Sequence, residues 1–185
     1  MRLSDTADGY GWISIGLHWA MGIGVVAMWF IGSSIPAASG SDQAGSLRLH
    51  TTLGLALYLL FWARIAWRLV KGHPGPGVKQ NRAFFTIGKV VHFGLLGGLA
   101  VMLVTGPLMA WAGGVELNLF GLALPSPLAH DPVLFERLHT VHRTTSTLVI
   151  LAIVLHVAGA LKHAAFDRDG TLDRILIAAP RTEEG

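Results

Sequence analysis

The 185-residue chain contains no cysteine. This absence excludes disulfides, thiolate nucleophiles, cysteine-ligated iron–sulfur clusters and haem attached covalently through cysteine. Charge is also scarce, because only 14% of the residues are charged, against about a quarter in an ordinary soluble domain. Hydrophobic residues make up 52%, and the mean hydropathy is +0.54. With no nucleotide-binding glycine motif and no internal repeat, the composition predicts a membrane protein and no nucleic-acid partner.

Four apolar stretches are each long enough to cross about 30 Å of hydrocarbon as a helix of about 20 residues. They cover about residues 13–34, 49–70, 90–112 and 142–165. The predicted fold class is therefore all-α, a transmembrane four-helix bundle, with residues 1–185 forming a single integral membrane domain. The first stretch also resembles a signal peptide, because Arg2 precedes it and small residues follow it at 36–40. His18 and Trp19 inside the apolar segment favour a retained helix.

The distribution of basic residues sets the predicted orientation. The segment from Arg68, near the end of the second stretch, to Lys89 contains no acidic residue and five basic ones, Arg68, Lys71, Lys79, Arg82 and Lys89. By the positive-inside rule this segment is cytoplasmic, and both termini are then cytoplasmic as well. Arg64 and Arg68 interrupt the end of the second stretch, and we expect both to extend toward the inner membrane interface.

Four of the nine histidines fall at two predicted depths. His18 and His156 lie in the inner half of the membrane and form the inner pair, and His50 and His142 lie in the outer half and form the outer pair. On one helix, His142 and His156 share nearly the same face and are about 21 Å apart. His139 lies about 100° from the direction of His156, so His142 is the preferred outer residue and His139 is the fallback.

Ionisable side chains are expensive in lipid, and a function is the usual explanation for them. Two matched histidine pairs favour two iron sites, each with a haem held between helices. The residues one turn from these histidines are mostly small, which leaves room for a flat macrocycle and also favours close helix packing. One alternative is that the histidines bond to one another or to neighbouring hydroxyl groups. Zinc is less favoured, because neither pair provides the three or four converging ligands of a typical zinc site.

Several segments resemble motifs of one known family. They are ISIGLHW (13–19), RLHTTLG (48–54) with ARIAWRL (63–69), VVHFGLL (90–96), FERLHTVH (135–142) and LHVAGALKH (155–163). Through them the chain resembles the bacterial diheme cytochrome b561 family, in particular its four-helix, superoxide oxidase-like members. The resemblance implies two haem b groups, with His18–His156 and His50–His142 as axial ligands, in the bacterial inner (plasma) membrane. His139 is an extra histidine relative to the simplest family pattern.

The resemblance also implies a function, which is transmembrane electron transfer that oxidises superoxide at the outer side and reduces ubiquinone. Arg143, next to His142, is predicted to attract the superoxide anion, together with Arg48 and Arg137. An alternative is an electron-transfer subunit that relays electrons between quinone and a dehydrogenase or a periplasmic redox partner protein. A third reading is a haem-free helical bundle that acts in assembly or transport.

At the inner end, quinone reduction consumes protons, and a titratable histidine near lipid would supply them. His163 is predicted to contact quinone or to donate a proton, with His92 as the second candidate. The alternative for His92 is a core histidine bonded to a carbonyl group of the second helix.

Overall fold

The computed structural model describes residues 2–7, 9–72, 74–75 and 82–179. Its long helices are α1 (Trp12–Ser34), α2 (Gly40–Lys71), α3 (Arg82–Ala112) and α4 (Pro132–Lys162). A 3-10 turn (Ile35–Ala37) follows α1, a π-helical turn (His163–Asp167) continues α4, and a single turn, α5 (Asp173–Leu176), lies near the end of the described chain. Strands β1 (Leu117–Leu119) and β2 (Leu122–Leu124) form an antiparallel hairpin in which Leu117 pairs with Leu124.

The four long helices confirm the predicted all-α fold, and each is long and apolar enough to cross a membrane. They extend beyond the apolar stretches. α2 begins at Gly40 with a polar first turn, and α4 begins at Pro132, before the charged residues Glu136 and Arg137 that interrupt its apolar pattern. The short hairpin between α3 and α4 is not predicted by the sequence. Lys79, which contributes to the predicted orientation, lies outside the described residues.

Large apolar side chains face outward along these helices. Phe30, Leu69, Leu148 and Leu155 are each at least 60% exposed, with values of 62%, 81%, 60% and 62%. Exposed apolar surface on this scale marks a contact with a partner or a membrane. Because the residues lie on spans long enough to cross a bilayer, lipid is the partner that covers them.

The contacts divide the chain into two compact units, and every long helix contributes residues to both. The first unit contains Met1–Ile23, Leu60–His92 and Val154–Gly185. The second unit contains Gly24–Leu59 and Phe93–Ile153. The inner pair of histidines belongs to the first unit, and the outer pair belongs to the second.

In the first unit, a buried carboxylate fastens the N-terminal segment to α1 and α2. Asp5 accepts hydrogen bonds from Arg68 Nη1 at 3.0 Å, from Ser14 Oγ at 2.7 Å and from the backbone N–H of Gly11 at 2.8 Å. The indole N–H of Trp67 donates to Ser14 Oγ at 2.9 Å. Arg68, which was expected to extend toward the inner interface, has the carboxylate of Asp5 in the N-terminal segment as its partner.

In the second unit, a capping residue stabilises the start of α4, and the hairpin is bonded to α2. Asp131 Oδ1 accepts hydrogen bonds from the backbone N–H groups of Val133 and Leu134, both at 3.0 Å, which caps α4. Thr52 Oγ1 donates to the carbonyl oxygen of Asn118 at 3.1 Å. This bond ties the hairpin to the first turn after His50.

Candidate functional site

The predicted histidines come together as two ring pairs. In the first unit, His18 of α1 and His156 of α4 have ring centroids 6.0 Å apart. In the second unit, His50 of α2 and His142 of α4 have centroids 6.5 Å apart. Two imidazoles that bind opposite sides of one metal ion through bonds of about 2.0 Å have centroids about 6 Å apart. Both pairs therefore have the spacing that bis-histidine ligation of iron requires.

The fallback histidine has a different neighbour. His139 stacks on Phe135, with centroids 5.8 Å apart and only 5° between the ring planes. The structure thus brings His142, rather than His139, to His50.

The tautomer of His142 follows from its hydrogen bond to Thr105. The Thr105 hydroxyl lies 2.9 Å from His142 Nδ1 and 2.8 Å from the carbonyl oxygen of Val101. A hydroxyl has one hydrogen to donate, and the carbonyl can only accept it. His142 Nδ1 must then carry a hydrogen and donate it to Thr105. The Nε2 lone pair of His142 is then free to bind a metal ion. Thr105 stabilises this tautomer through its hydrogen bond to Nδ1.

Two glycines allow the backbone to approach the outer pair. A Cβ atom at Gly32 of α1 would lie 2.9 Å from His50 Cε1, and one at Gly106 of α3 would lie 3.4 Å from His142 Cε1. The first distance is too short for any side chain, so Gly32 is required where His50 packs. All four long helices therefore contribute to the surroundings of this pair.

A buried polar atom at the outer pair lacks a partner. Within the described residues, His50 Nδ1 is buried and has no hydrogen-bond partner in good geometry, although the backbone of Met28 lies close enough to the ring to interact with it. Buried polar groups are rarely left this way, and an exception needs an explanation. A ligand that orients the His50 ring provides one.

The inner pair has a charged neighbour that the sequence placed elsewhere. Arg64 was expected to extend toward the membrane interface, but its Nη2 lies 3.3 Å from His18 Nδ1. The expectation was wrong because α2 turns this side chain toward α1, where an imidazole nitrogen is available as an acceptor.

His92 is the third histidine at the inner pair. Its ring centroid lies 4.8 Å from that of His156, and the rings are nearly perpendicular at 79°. Its Nδ1 donates to the carbonyl oxygen of Gly88, one turn earlier in α3, at 2.7 Å. The side chain is exposed. The alternative reading of a core histidine bonded to α2 is therefore wrong, because the partner belongs to its own helix.

His163 lies among carboxylates, just after α4. Its Nδ1 is 2.9 Å from Asp167 Oδ2 and 2.8 Å from Asp169 Oδ2, and Lys162 Nζ also contacts Asp167 at 2.5 Å. Burial opposes ionisation of Asp169, but hydrogen bonds from Thr171 and from His163 outweigh it and lower the pKa of this carboxyl group. The cluster therefore keeps a negative charge beside His163.

The three arginines predicted to attract an anion are all in the second unit and all exposed. Arg143 follows His142 directly on α4, Arg137 lies on the same helix, and Arg48 lies on α2 two residues before His50. Each is therefore close in sequence to a histidine of the outer pair and open to its surroundings.

Comparison with known proteins identifies the family. Residues 9–177 match the family described as prokaryotic cytochrome b561. The chain belongs to this family. It is 28% identical over 179 residues to cytochrome b561 homolog 2 of Escherichia coli (strain K12), covering 95% of each chain. It is 25% identical over 170 residues to the probable superoxide oxidase CybB of Yersinia pestis, covering 90% of this chain and 95% of that protein.

Family membership makes the chain a membrane electron-transfer cytochrome and implies b-type haem as its cofactor. The residues present fit such a group. Each ring pair has the spacing for bis-histidine ligation, His142 presents a free Nε2, and the buried His50 Nδ1 lacks a protein partner.

Sequence reasoning missed four residues around the histidines. Thr105, Gly106 and Gly32 lie on helices that carry no outer histidine, and their roles depend on contacts between helices. Arg64 is visible as a charge in an apolar stretch, but its direction is not. In the sequence, Thr105 and Gly106 are visible only as a hydroxyl residue next to a glycine in an otherwise apolar helix. This pattern is too common to indicate a site.

Replacing Thr105 by valine removes the acceptor for His142 Nδ1 while keeping the shape of the side chain. We expect haem affinity at one of the sites to fall by about 10- to 100-fold, as is typical when an outer partner of a metal-bound histidine is lost. The measurement is a haem titration of purified apoprotein followed in the visible spectrum. Thr105→Ser keeps the hydroxyl and should bind as the wild type does. Equal affinities for Thr105→Val and the wild type would contradict the role of this hydroxyl.

Proposed function

We propose that the chain oxidises superoxide at the outer side of the bacterial inner membrane and reduces ubiquinone, with electrons passing through two b haems. The observation that carries the electron-transfer part is the presence of two histidine pairs with the spacing for iron ligation, one in each unit. The superoxide part is supported by the Yersinia pestis relative, which is described as a probable superoxide oxidase. Residues 1–185 act as one integral membrane domain with both termini on the cytoplasmic side.

The four histidines would serve as axial ligands. His18 and His156 would hold one haem b, and His50 and His142 would hold the other. When bound, haem b supplies one-electron chemistry whose potential depends on the ligands, nearby charges and burial. The protein groups would fix the ring orientations, as Thr105 does for His142.

The outer end is suited to an anionic electron donor. Superoxide carries one negative charge, and exposed Arg143, with Arg48 and Arg137, would raise its concentration near the outer pair. Two superoxide anions release two electrons and leave as two molecules of dioxygen. One quinone takes up these two electrons and two protons to become the quinol.

The inner end is suited to supplying the protons. Because His163 Nδ1 faces Asp167 and Asp169, its Nε2 is the nitrogen left to exchange a proton. His92 is exposed and contacts the His156 ring, which places it between the lipid-facing surface and the inner pair. We assign His163 as quinone contact or proton donor and His92 as the second such residue.

A second candidate function is an electron relay to quinone from a dehydrogenase or a periplasmic redox partner. The observation that favours it is the hairpin between α3 and α4, where Phe120 is 77% exposed and Leu122 is 63% exposed. An exposed apolar hairpin at the outer end would offer a protein partner a surface to bind.

The first prediction concerns the number of haems. Purified protein should contain two haem b per chain by the pyridine haemochrome assay. Replacing any one of His18, His156, His50 or His142 by alanine should remove one of the two, because a single imidazole holds the iron poorly and leaves a vacant position. His139→Ala is the matched control and should keep both. Two haems in all four ligand variants, or one haem in His139→Ala, would contradict the assignment.

The second prediction concerns the reaction. Stopped-flow mixing of the haem-loaded protein with superoxide should reduce the haems, and added ubiquinone should be converted to quinol. Arg143→Gln should lower the bimolecular rate constant by about threefold to tenfold, with a larger effect at low ionic strength, because attraction between exposed charges is screened by salt. Arg82→Gln, at the other predicted side, is the control. No quinol formation while superoxide is generated would overturn the proposal, and reduction by a soluble redox protein alone would favour the relay.

The third prediction concerns proton supply. His163→Ala should keep both haems and their reduction by superoxide but slow quinol formation by about 10²-fold, the lower end of what general acid–base catalysis contributes. Asp169→Asn should have a smaller effect in the same direction. His130→Ala, an exposed histidine of the second unit, serves as the control. Normal quinol formation by His163→Ala would remove this residue from the mechanism.

A further inference from the structure

The contact between Arg64 and His18 prevents His18 from binding a metal ion. A guanidinium group has only donors, so at 3.3 Å from Arg64 Nη2 the His18 Nδ1 atom must be the acceptor. A neutral His18 ring then carries its hydrogen on Nε2. That nitrogen has no free lone pair, and the other one is occupied by the guanidinium. This is the opposite tautomer to that of His142, whose Nδ1 donates to Thr105.

Binding of iron by His18 therefore requires Arg64 to leave. If iron binds Nε2, the hydrogen moves to Nδ1 and two donors then face each other. If iron binds Nδ1, the metal takes the position of the guanidinium. In both cases Arg64 loses its partner, and a partly buried cation without a partner is costly.

Asp5, a buried acid of the same unit, already has other partners. It accepts hydrogen bonds from Arg68, Ser14 and the backbone of Gly11. Haem b, however, carries two propionate carboxylates at its edge, and arginine binds a carboxylate through two parallel hydrogen bonds. The group that displaces Arg64 from His18 thus also brings an anion for it.

We infer that Arg64 is a positioning residue for the haem held by the inner pair. When that haem binds, Arg64 leaves His18, binds a propionate of the haem and raises its reduction potential. The inference rests on the proposed ligation by His18 and His156. The potential rises because ferrous haem is one unit more negative than ferric haem, and a fixed positive charge in a medium of low dielectric constant stabilises the reduced form. The haem held by the outer pair has Thr105, an uncharged hydroxyl, in the equivalent place, so the two haems are expected to differ in potential.

The test is a spectroelectrochemical titration of the purified protein with both haems bound. In Arg64→Gln, the reduced-to-oxidised ratio of one haem at a fixed applied potential should fall by about tenfold, which corresponds to about 59 mV for a one-electron couple. The other haem should not change. Arg64→Lys keeps the charge and should restore most of the shift. Lys71→Gln, which removes an exposed charge from the same end of α2, is the matched control and should leave both potentials in place.

A second measurement isolates the propionate. Apoprotein of the wild type and of Arg64→Gln is titrated with haem b and with its dimethyl ester, in which both propionates are blocked. The substitution should weaken binding of haem b at one site by about tenfold and leave binding of the ester unchanged. A substitution that weakens both equally would show that Arg64 only supports the packing of His18.

Outcomes for the inference and for the proposed function are separable. If the wild type does not bind two haems, the ligand assignment fails before Arg64 is tested. If the wild type binds two haems but Arg64→Gln changes neither potential, or Lys71→Gln changes one by the same amount, the inference about Arg64 is overturned and the ligand assignment stands. Loss of one haem from Arg64→Gln that Arg64→Lys restores supports the inference.

Discussion

A ring nitrogen inside a membrane must have a partner, and this requirement organises the two histidine pairs. Water is not available there, so each imidazole hydrogen and each lone pair is matched by a protein group or a ligand. His142 meets the requirement through Thr105, and His92 meets it through the carbonyl group of Gly88. In both rings Nδ1 is the donor, which leaves Nε2 as the nitrogen available for binding. In His18, by contrast, Nδ1 is the acceptor, because its partner is a donor on Arg64. The same residue type thus has two different states, and for His142 and His18 the partner that decides the state lies on a neighbouring helix.

This dependence on neighbouring helices explains what the sequence revealed and what it did not. The four spans follow from local properties, because length, hydropathy and the absence of charge act within one segment. The depth of each histidine follows from its distance to the end of its span, so His18 could be matched with His156, and His50 with His142, before any contact was known. Arg64, Thr105, Gly32 and Gly106 act across helices. Hydropathy contains no information on the face that each presents to a neighbour, and the direction expected for Arg64 was wrong for this reason.

The ends of the helices show a second limit of sequence reasoning. His163 was predicted to contact quinone or to donate a proton, but the carboxylates beside it were not predicted. After Lys162, α4 passes into a π-helical turn, and Arg168 then adopts a left-handed conformation with φ of 50°. The chain reverses there and brings Asp169 back to His163, while Asp167 reaches it from the turn itself. A helical projection extended beyond Lys162 cannot anticipate this reversal, because the periodicity on which it depends ends at that residue.

Two sites of the same ligand type do not by themselves give electron flow a direction, so direction has to arise from the groups around them. In the proposed function, the exposed arginines close in sequence to the outer pair would attract anions, whereas His163 and the carboxylates beside it would hold and exchange protons. These groups would favour an anionic electron donor near the outer pair and an acceptor that is protonated on reduction near the inner pair. Arg64, which contacts His18 of the inner pair, would add to this asymmetry, because a positive charge there would stabilise the electron at that pair. The polar residues that lower the hydropathy of the spans are thus the ones that would make an electron-transfer pathway directed instead of symmetrical.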